Sequence, residues 1–302
     1  MDFNPSPLQK LDLSPFGLEN KVYIKRDDLI HPIISGNKWR KLKRNISHYK
    51  TIDSKGIVSM GGAYSSHILA LSYVCFKNSI PCVLMVRGEE PKQKSDILIQ
   101  CLKYKAIINY CSRENYSSNI WMSNYCNDNY PSFFFIPEGA ANEFGIKGCS
   151  EIISEITMDF DEIYCEVGTG ATLAGISSAL KPNQKVKGIV VLKGANGIEK
   201  EIQDLYKDAT NQKMNNNWHL NHDYHLGGYA KYNRILVEFM NDFYSKTQIK
   251  TDPIYSGKMF FALIDQLLKD QSLNRKKIIA LHSGGLSGIP GFEKRYGLEI
   301  FN

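Results

Sequence analysis

The stretch Glu162–Leu180, EIYCEVGTGATLAGISSAL, decides the fold class. A strand-like run, Glu162 to Val167, gives way at once to Gly168-Thr169-Gly170-Ala171-Thr172 and then to an apolar helical run, Leu173 to Leu180. Strand, glycine turn and helix in immediate succession form the unit of a parallel sheet covered by helices. At such a turn the free backbone N–H groups and the positive end of the helix face an anion. A dinucleotide fingerprint needs glycine where Leu173 stands, and a P-loop needs a closing Gly-Lys-Ser/Thr that is absent. What remains is a short cradle suited to one phosphate, with the Thr169 and Thr172 hydroxyls as added donors. Taken alone, a loop of this kind is as readily a tight turn.

The same alternation extends in both directions. Val22 to Lys25, Ile57 to Met60, Cys82 to Val86, Ala106 to Tyr110, Phe133 to Ile136, Val186 to Leu192 and Lys277 to Leu281 read as further strands. Between them, Lys38 to Tyr49 places Trp39, Leu42, Ile46 and Tyr49 at helical spacing, and Ile68 to Phe76 is an apolar helix. Ligands of such sheets bind at the carboxyl ends of the strands. Glycines collect there three times: Met60-Gly61-Gly62, Val167-Gly168-Thr169-Gly170 and Leu281-His282-Ser283-Gly284-Gly285. One shared pocket follows, although each pair by itself is compatible with a turn.

Bulk properties narrow the function classes. The 302 residues, 43% hydrophobic and 23% charged, suffice for one large globular domain or two ordinary ones. The net charge of +6 is mild and its residues are interspersed with acidic ones. The basic cluster Lys38 to Arg44 has Trp39 as its one aromatic residue, so a solvated helix face is favoured over a nucleic-acid surface. Seven scattered cysteines without a C-x-x-C pair read as reduced core thiols rather than a disulfide frame or a zinc site. His219, His222 and His225 lack partners at metal-ligand spacing and read as a polar loop, so no metal is expected. Met1 to Leu13 shows no basic-then-apolar leader, and no apolar run nears the ~20 residues of a membrane span. A cytoplasmic protein with neither membrane nor nucleic-acid partner is the expectation.

Two further segments carry chemistry. In Ser35-Gly36-Asn37-Lys38-Trp39-Arg40-Lys41, Ser35 or Asn37 is placed to cap a helix whose first turn holds Lys38. A cation there opposes the helix dipole. The same field, with Arg40 and Lys41 nearby, favours the free amine that attacks an aldehyde. Standing alone, the motif would read as a surface lysine on a basic helix. In Gly61-Gly62-Ala63-Tyr64-Ser65-Ser66-His67, small residues and hydroxyls at a helix start suit a carboxylate. Ser65 is the candidate to move protons there. His67, with no carboxylate near it in sequence, reads as an orienting or packed ring rather than a general base. The G-x-S-x-G elbow of a serine hydrolase is missing.

Together these elements have the order and spacing of a known group. The chain resembles the 1-aminocyclopropane-1-carboxylate deaminase and D-cysteine desulfhydrase family of pyridoxal-phosphate enzymes. The likeness is carried by Lys25-Arg26-Asp27-Asp28, Ser35 to Lys38, Gly61 to His67, Ile136-Pro137-Glu138-Gly139, Gly168 to Gly175, Asp252 to Lys258 and His282 to Gly285. It runs from about Leu8 to the C-terminus. The resemblance implies an α/β tryptophan-synthase-β-like fold (fold type II), with two three-layer α/β/α domains and mostly parallel sheets. It implies a large cofactor domain from residues 1–47 and 160–302, with 48–159 as a smaller inserted one. Lys38 is implied as the Schiff-base lysine for pyridoxal 5'-phosphate, and Gly168, Thr169, Gly170, Ala171 and Thr172 as the phosphate cup. Asn37, Ser66 and Ser283 are implied as further cofactor contacts, Ser283 beside the pyridine nitrogen. Ser65, Ser66 and His67 are implied at the substrate carboxylate, and Tyr255 over the reacting face. A homodimer acting on a small amino acid is implied as the working unit.

Two departures bear on the reaction. Ser66 replaces an asparagine of the resembled pattern that donates to the cofactor O3′. Ser256 and Ser283 stand where the deaminase branch has Glu and Leu, and there the chain is similar to the desulfhydrase branch. A neutral hydroxyl beside the pyridine nitrogen does not enforce its protonation, which weakens the electron sink. Loss of a β-leaving group after α-proton removal tolerates that better than opening a cyclopropane, which has no α-proton. The expected reaction is therefore α,β-elimination to a keto acid and ammonia. Cyclopropane-amino-acid deamination, racemisation or dehydration of serine-like amino acids, and cofactor binding with little catalysis stand as alternatives.

Overall fold

A computed structural model describes residues 4–301. In chain order it comprises β1 (Leu8–Lys10), β2 (Lys21–Lys25), α1 (Asn37–Tyr49), β3 (Gly56–Gly61), α2 (Ser66–Lys77), β4 (Cys82–Arg87), α3 (Asp96–Lys103) and β5 (Ile107–Cys111). There follow α4 (Arg113–Ser117), α5 (Asn119–Asn129), β6 (Phe133–Ile136), α6 (Glu143–Ser154), β7 (Glu162–Val167), α7 (Ala171–Ala179), β8 (Lys185–Val190) and α8 (Ile198–Thr210). The chain closes with β9 (Trp218–Asn221), α9 (Arg234–Thr247), α10 (Ser256–Lys269), β10 (Lys277–Leu281) and α11 (Ile289–Tyr296).

The strands form two sheets. One has the order β1-β2-β10-β7-β8-β9, and the other β5-β4-β3-β6. Every pairing is parallel except β1 with β2. The last strand, β10, sits between β2 and β7, so both ends of the chain build the larger sheet. Its register aligns Leu281 with Lys25 and Ala280 with Tyr164. The carboxyl ends of β2, β10 and β7 thus emerge at one edge.

Alternation along each strand separates two faces, and both are covered. On β7, Ile163, Cys165 and Val167 pack with α6, α7 and α8, while Tyr164 packs with Phe260 and Leu263 of α10. On β3 and β4, Ile57 and Leu84 face α1, α2 and α3, while Val58 and Met85 face Met122 and Cys126 of α5. Each sheet is the middle of a three-layer α/β/α sandwich, as the resemblance implied. All seven cysteines are buried in these cores as free thiols.

Sequence reading placed β2 to β8 and β10 to within a residue or two at their ends. It did not register β1 and β9. These are edge strands of three and four residues with mostly unburied side chains, too short to display an alternation.

Candidate active site

Helix α1 begins in a way the sequence reading did not foresee. Neither Ser35 nor Asn37 caps it; Gly36 does, at φ 66° and ψ −143°, without a side-chain cap. A Cβ on Gly36 would lie 1.6 Å from the Ser283 carbonyl oxygen, and the Asn37 N–H donates to that oxygen at 3.1 Å. Only glycine allows the helix to start against the turn after β10. Released from capping, the Asn37 side chain serves two partners. Its Nδ2 donates to Thr172 Oγ1 at 3.0 Å, and its Oδ1 accepts from Lys38 Nζ at 2.6 Å. The amide links the lysine to the phosphate-type cradle.

The Lys25-Arg26-Asp27-Asp28 segment explains why α1 is held there. Lys25 Nζ donates to Glu155 Oε2 at 2.7 Å and to the Ser6 carbonyl at 2.6 Å. Arg40 bridges Asp27 Oδ1 at 2.9 Å and Glu155 Oε2 at 2.7 Å. Lys25, Asp27 and Arg40 are all buried. This network ties the end of β2, the first turn of α1 and the end of α6 into one rigid corner. Its residues brace the site rather than line it.

Burial, and then the Lys41 ammonium one turn further on, lowers the Lys38 amine to about 8, against the opposing pull of Glu166, Asp252 and Cys149. Lys38 Nζ lies 5.8 Å from the centroid of the Tyr255 ring. Tyr255 is held by its own backbone: Asp252 Oδ1 accepts from the Ile254 and Tyr255 N–H groups at 2.8 and 2.9 Å. Asp252 Oδ2 takes the N–H and the hydroxyl of Ser256, at 2.8 and 2.7 Å, and so starts α10. Burial, followed by the neighbouring Tyr229, pushes the Tyr255 phenol well above its usual range. Tyr229 meets the Tyr255 ring edge-on at 6.0 Å, on a turn fastened by Lys258, whose buried Nζ donates to the Gly228 carbonyl at 2.7 Å.

The glycine turn joins β7 to α7 where the strand–turn–helix reading put it. Gly170 caps α7 at φ 79°, where a Cβ would strike Ile202 at 2.2 Å. The Ala174 N–H reaches the Gly170 carbonyl at 3.0 Å, and the N–H groups ahead of it project from the helix end. Gly168 lies against the Tyr255 ring, where an added Cβ would sit 3.3 Å from Cε1. Thr169 lies beside Gly139, which brings the Pro137-Glu138-Gly139 turn to the rim. On the other sheet, Ser65 caps α2 by accepting the His67 N–H at 3.2 Å, and Ser66 is half-buried beside it. His67 is buried with Nε2 2.9 Å from Ser59 Oγ. Desolvation, with the Lys38 and Lys41 charges, lowers its imidazole to about 3, so the ring is neutral.

The sequence reading missed Glu166. It is the penultimate residue of β7, the strand that opened the reading, and it is 5% exposed. Ser283 Oγ donates to its Oε1 across the β7–β10 edge, and Oε2 has no hydrogen-bond partner among the described residues. Burial pushes this carboxyl up to about 7, against the Ser283 hydrogen bond. The available signal was an ionisable residue inside an apolar strand two positions before the glycines.

An amine with a lowered pKa, joined through one amide to a helix-start anion cradle and backed by a buried carboxylate, defines a site for a phosphate-bearing aldehyde held on lysine. The residues fit pyridoxal phosphate: Lys38 for the aldehyde, Gly168 to Thr172 for the phosphate, and an unpartnered oxygen of Glu166 for a polar ring atom. The chain belongs to the pyridoxal-phosphate dependent enzyme family, whose profile matches residues 1–284. It is 28% identical over 313 residues to the bifunctional D-cysteine desulfhydrase/1-aminocyclopropane-1-carboxylate deaminase, mitochondrial, of Arabidopsis thaliana, covering 94% of this chain and 77% of that one. It is 24% identical to the D-cysteine desulfhydrase of Salmonella newport, covering 94% and 93%. A crystal structure of an ACC deaminase homologue superposes at a TM-score of 0.84, with 26% identity over 97% of this chain and 93% of that one. The serine racemase of Dictyostelium discoideum shares the fold at a TM-score of 0.68, with 20% identity over 94% and 93%. Among the described residues no helix is long and apolar enough to cross a membrane.

Proposed function

We propose that this enzyme eliminates the β-substituent of a small amino acid, in the manner of a D-cysteine desulfhydrase, releasing a keto acid and ammonia. The observation that carries the reading is the Lys38 amine, lowered to about 8 and held at 2.6 Å on Asn37. An amine so tuned can accept the α-proton of a bound amino acid near neutral pH. When bound, pyridoxal phosphate supplies the electron sink that lets that proton and then the β-substituent depart. The protein's own groups do the rest. Asn37 orients the amine, and Gly168 to Thr172 with the α7 N-terminus bind the phosphate. Ser65, Ser66 and the neutral His67 at the start of α2 receive the substrate carboxylate. Tyr255, set by Asp252 and Tyr229, covers the reacting face and excludes water. Ser283 would lie beside the pyridine nitrogen.

Ring opening of the cyclopropane amino acid is the second reading, and Glu166 favours it. The hydroxyls at positions 256 and 283 offer no strong electron sink, and Glu166, hydrogen-bonded to Ser283, brings a carboxylate to that place. Purified protein assayed side by side with D-cysteine, β-chloroalanine and 1-aminocyclopropane-1-carboxylate separates the two. Turnover of the first two is expected; turnover of the cyclopropane alone overturns the elimination reading.

The working unit is a homodimer in the cytoplasm. The family resemblance supports the dimer, and the seven buried free thiols support a reducing compartment. Residues 1–47 with 160–302 form the cofactor domain and 48–159 the inserted one, supported by the two sheets. The last helix of the inserted stretch, α6, packs against the core of the larger sheet.

A further inference from the structure

We infer that Glu166 is the carboxylate that holds a proton on the pyridine nitrogen of the bound cofactor, in a site where positions 256 and 283 offer only hydroxyls. The inference rests on the reading above, that the cofactor is attached at Lys38. Strand alternation directs Glu166, like Tyr164, away from the α6–α8 side and toward the side of α10. Its Oε1 is engaged by Ser283, and Oε2 is buried without a partner among the described residues. A buried carboxylate served by a single hydroxyl is poorly compensated, and the natural completion is a donor that carries positive charge. Four ionisable groups act on it: Lys38 and Lys41 from α1, Asp252 from the turn before α10, and Cys165 from its own strand. Asp252 cannot take the same role, because its two oxygens are committed to three backbone N–H groups and the Ser256 hydroxyl. The Lys38 amine is committed to Asn37 and, in the loaded enzyme, to the cofactor aldehyde. A protonated ring nitrogen facing Oε2 pairs the carboxylate. No bond other than N–H···O is made, and the ring's positive charge strengthens its pull on electrons from the substrate.

The test uses holoenzyme loaded with pyridoxal phosphate carrying ¹⁵N in the ring, read by ¹⁵N NMR, alongside borohydride reduction and peptide mass analysis of Lys38. Native protein is expected to show the ring nitrogen in the protonated range near pH 7. Glu166→Gln is expected to move it to the neutral range with the cofactor still fixed on Lys38, and Glu166→Asp to recover part of the shift. Ser283→Ala, which keeps the carboxylate, is expected to leave the proton in place. A neutral ring in the native protein, an unmoved resonance in Glu166→Gln, or loss of the proton in Ser283→Ala overturns the assignment. Cofactor fixed on Lys38 with a neutral ring defeats Glu166 alone, whereas failure to fix it in native protein defeats the attachment itself.

Discussion

A side-chain carbon on Gly36 would stand 1.6 Å from the carbonyl oxygen of Ser283, so the start of α1 and the turn after β10 touch backbone to backbone. Lys38 is two residues beyond that contact. Gly36→Ala therefore adds a steric clash to the ~1–3 kcal/mol of strain that a side chain suffers in this backbone region. The variant is expected to lose at least that much stability in urea titration and to bind the cofactor poorly. Native-like stability together with native cofactor absorbance would show that the two segments separate freely.

The lowered Lys38 amine predicts how loading depends on pH. Below about 8 the amine is protonated and cannot attack an aldehyde; above it the amine is free. The rate at which protein stripped of cofactor takes up pyridoxal phosphate, followed by absorbance, is expected to rise with pH through a midpoint near 8 and then level off. Lys41→Met removes a neighbouring cation that contributes to the lowering, so its midpoint moves upward. A native midpoint near the ordinary 10.5 contradicts the argument.

Acid stability is expected to hinge on the corner beneath the site. Against the desolvation of partial burial, hydrogen bonds from Arg40 and Lys25 hold the Glu155 carboxyl down at about 2. A carboxyl depressed in the folded state stabilises it above the ordinary value of 4.5, and that contribution is lost as pH falls toward 2. Glu155→Gln is expected to cost about 2–4 kcal/mol at pH 7, since it leaves Lys25 and Arg40 under-compensated. The gap between variant and native protein should narrow between pH 5 and 2 in denaturant titrations. A gap that stays constant over this range counts against the network.

Tyr255 is anchored through its backbone by Asp252, so Tyr255→Phe removes the hydroxyl and its hydrogen bond to Tyr229 while keeping that anchor. Tyr255→Phe is expected to keep the native melting temperature and cofactor absorbance while kcat falls by about 10²-fold, the scale of a positioned proton-handling group. Unchanged turnover would reduce Tyr255 to a packing surface.

Much of this molecule was legible along the chain. Interior strands and helices announce themselves by period, because burial on one or both faces imposes it locally. The strand, glycine turn and helix around Gly168 to Thr172 are legible for the same reason, being contiguous, whereas a phosphate role for the turn came from the resemblance carried by several distant motifs. The neighbours of Lys38 set the field at a helix start, but alone they read as a surface lysine, and its role came from the resemblance. The strands β1 and β9 were not legible, since three or four residues with no buried side chain carry no apolar pattern of their own.

What the tertiary structure alone decided is which polar groups meet. Asn37 looked like a helix cap and became the link from Lys38 to Thr172, 135 residues away. Lys25, Asp27, Arg40 and Glu155 are unremarkable charges until burial brings them together. Glu166 reads as a polar interruption in a strand, and only the placement of β10 beside β7 puts Ser283 on one of its oxygens and leaves the other without a partner among the described residues. Secondary structure follows from the local spacing of apolar residues. A carboxylate's partner and its protonation follow from desolvation and from charges contributed by remote segments, which no local pattern encodes.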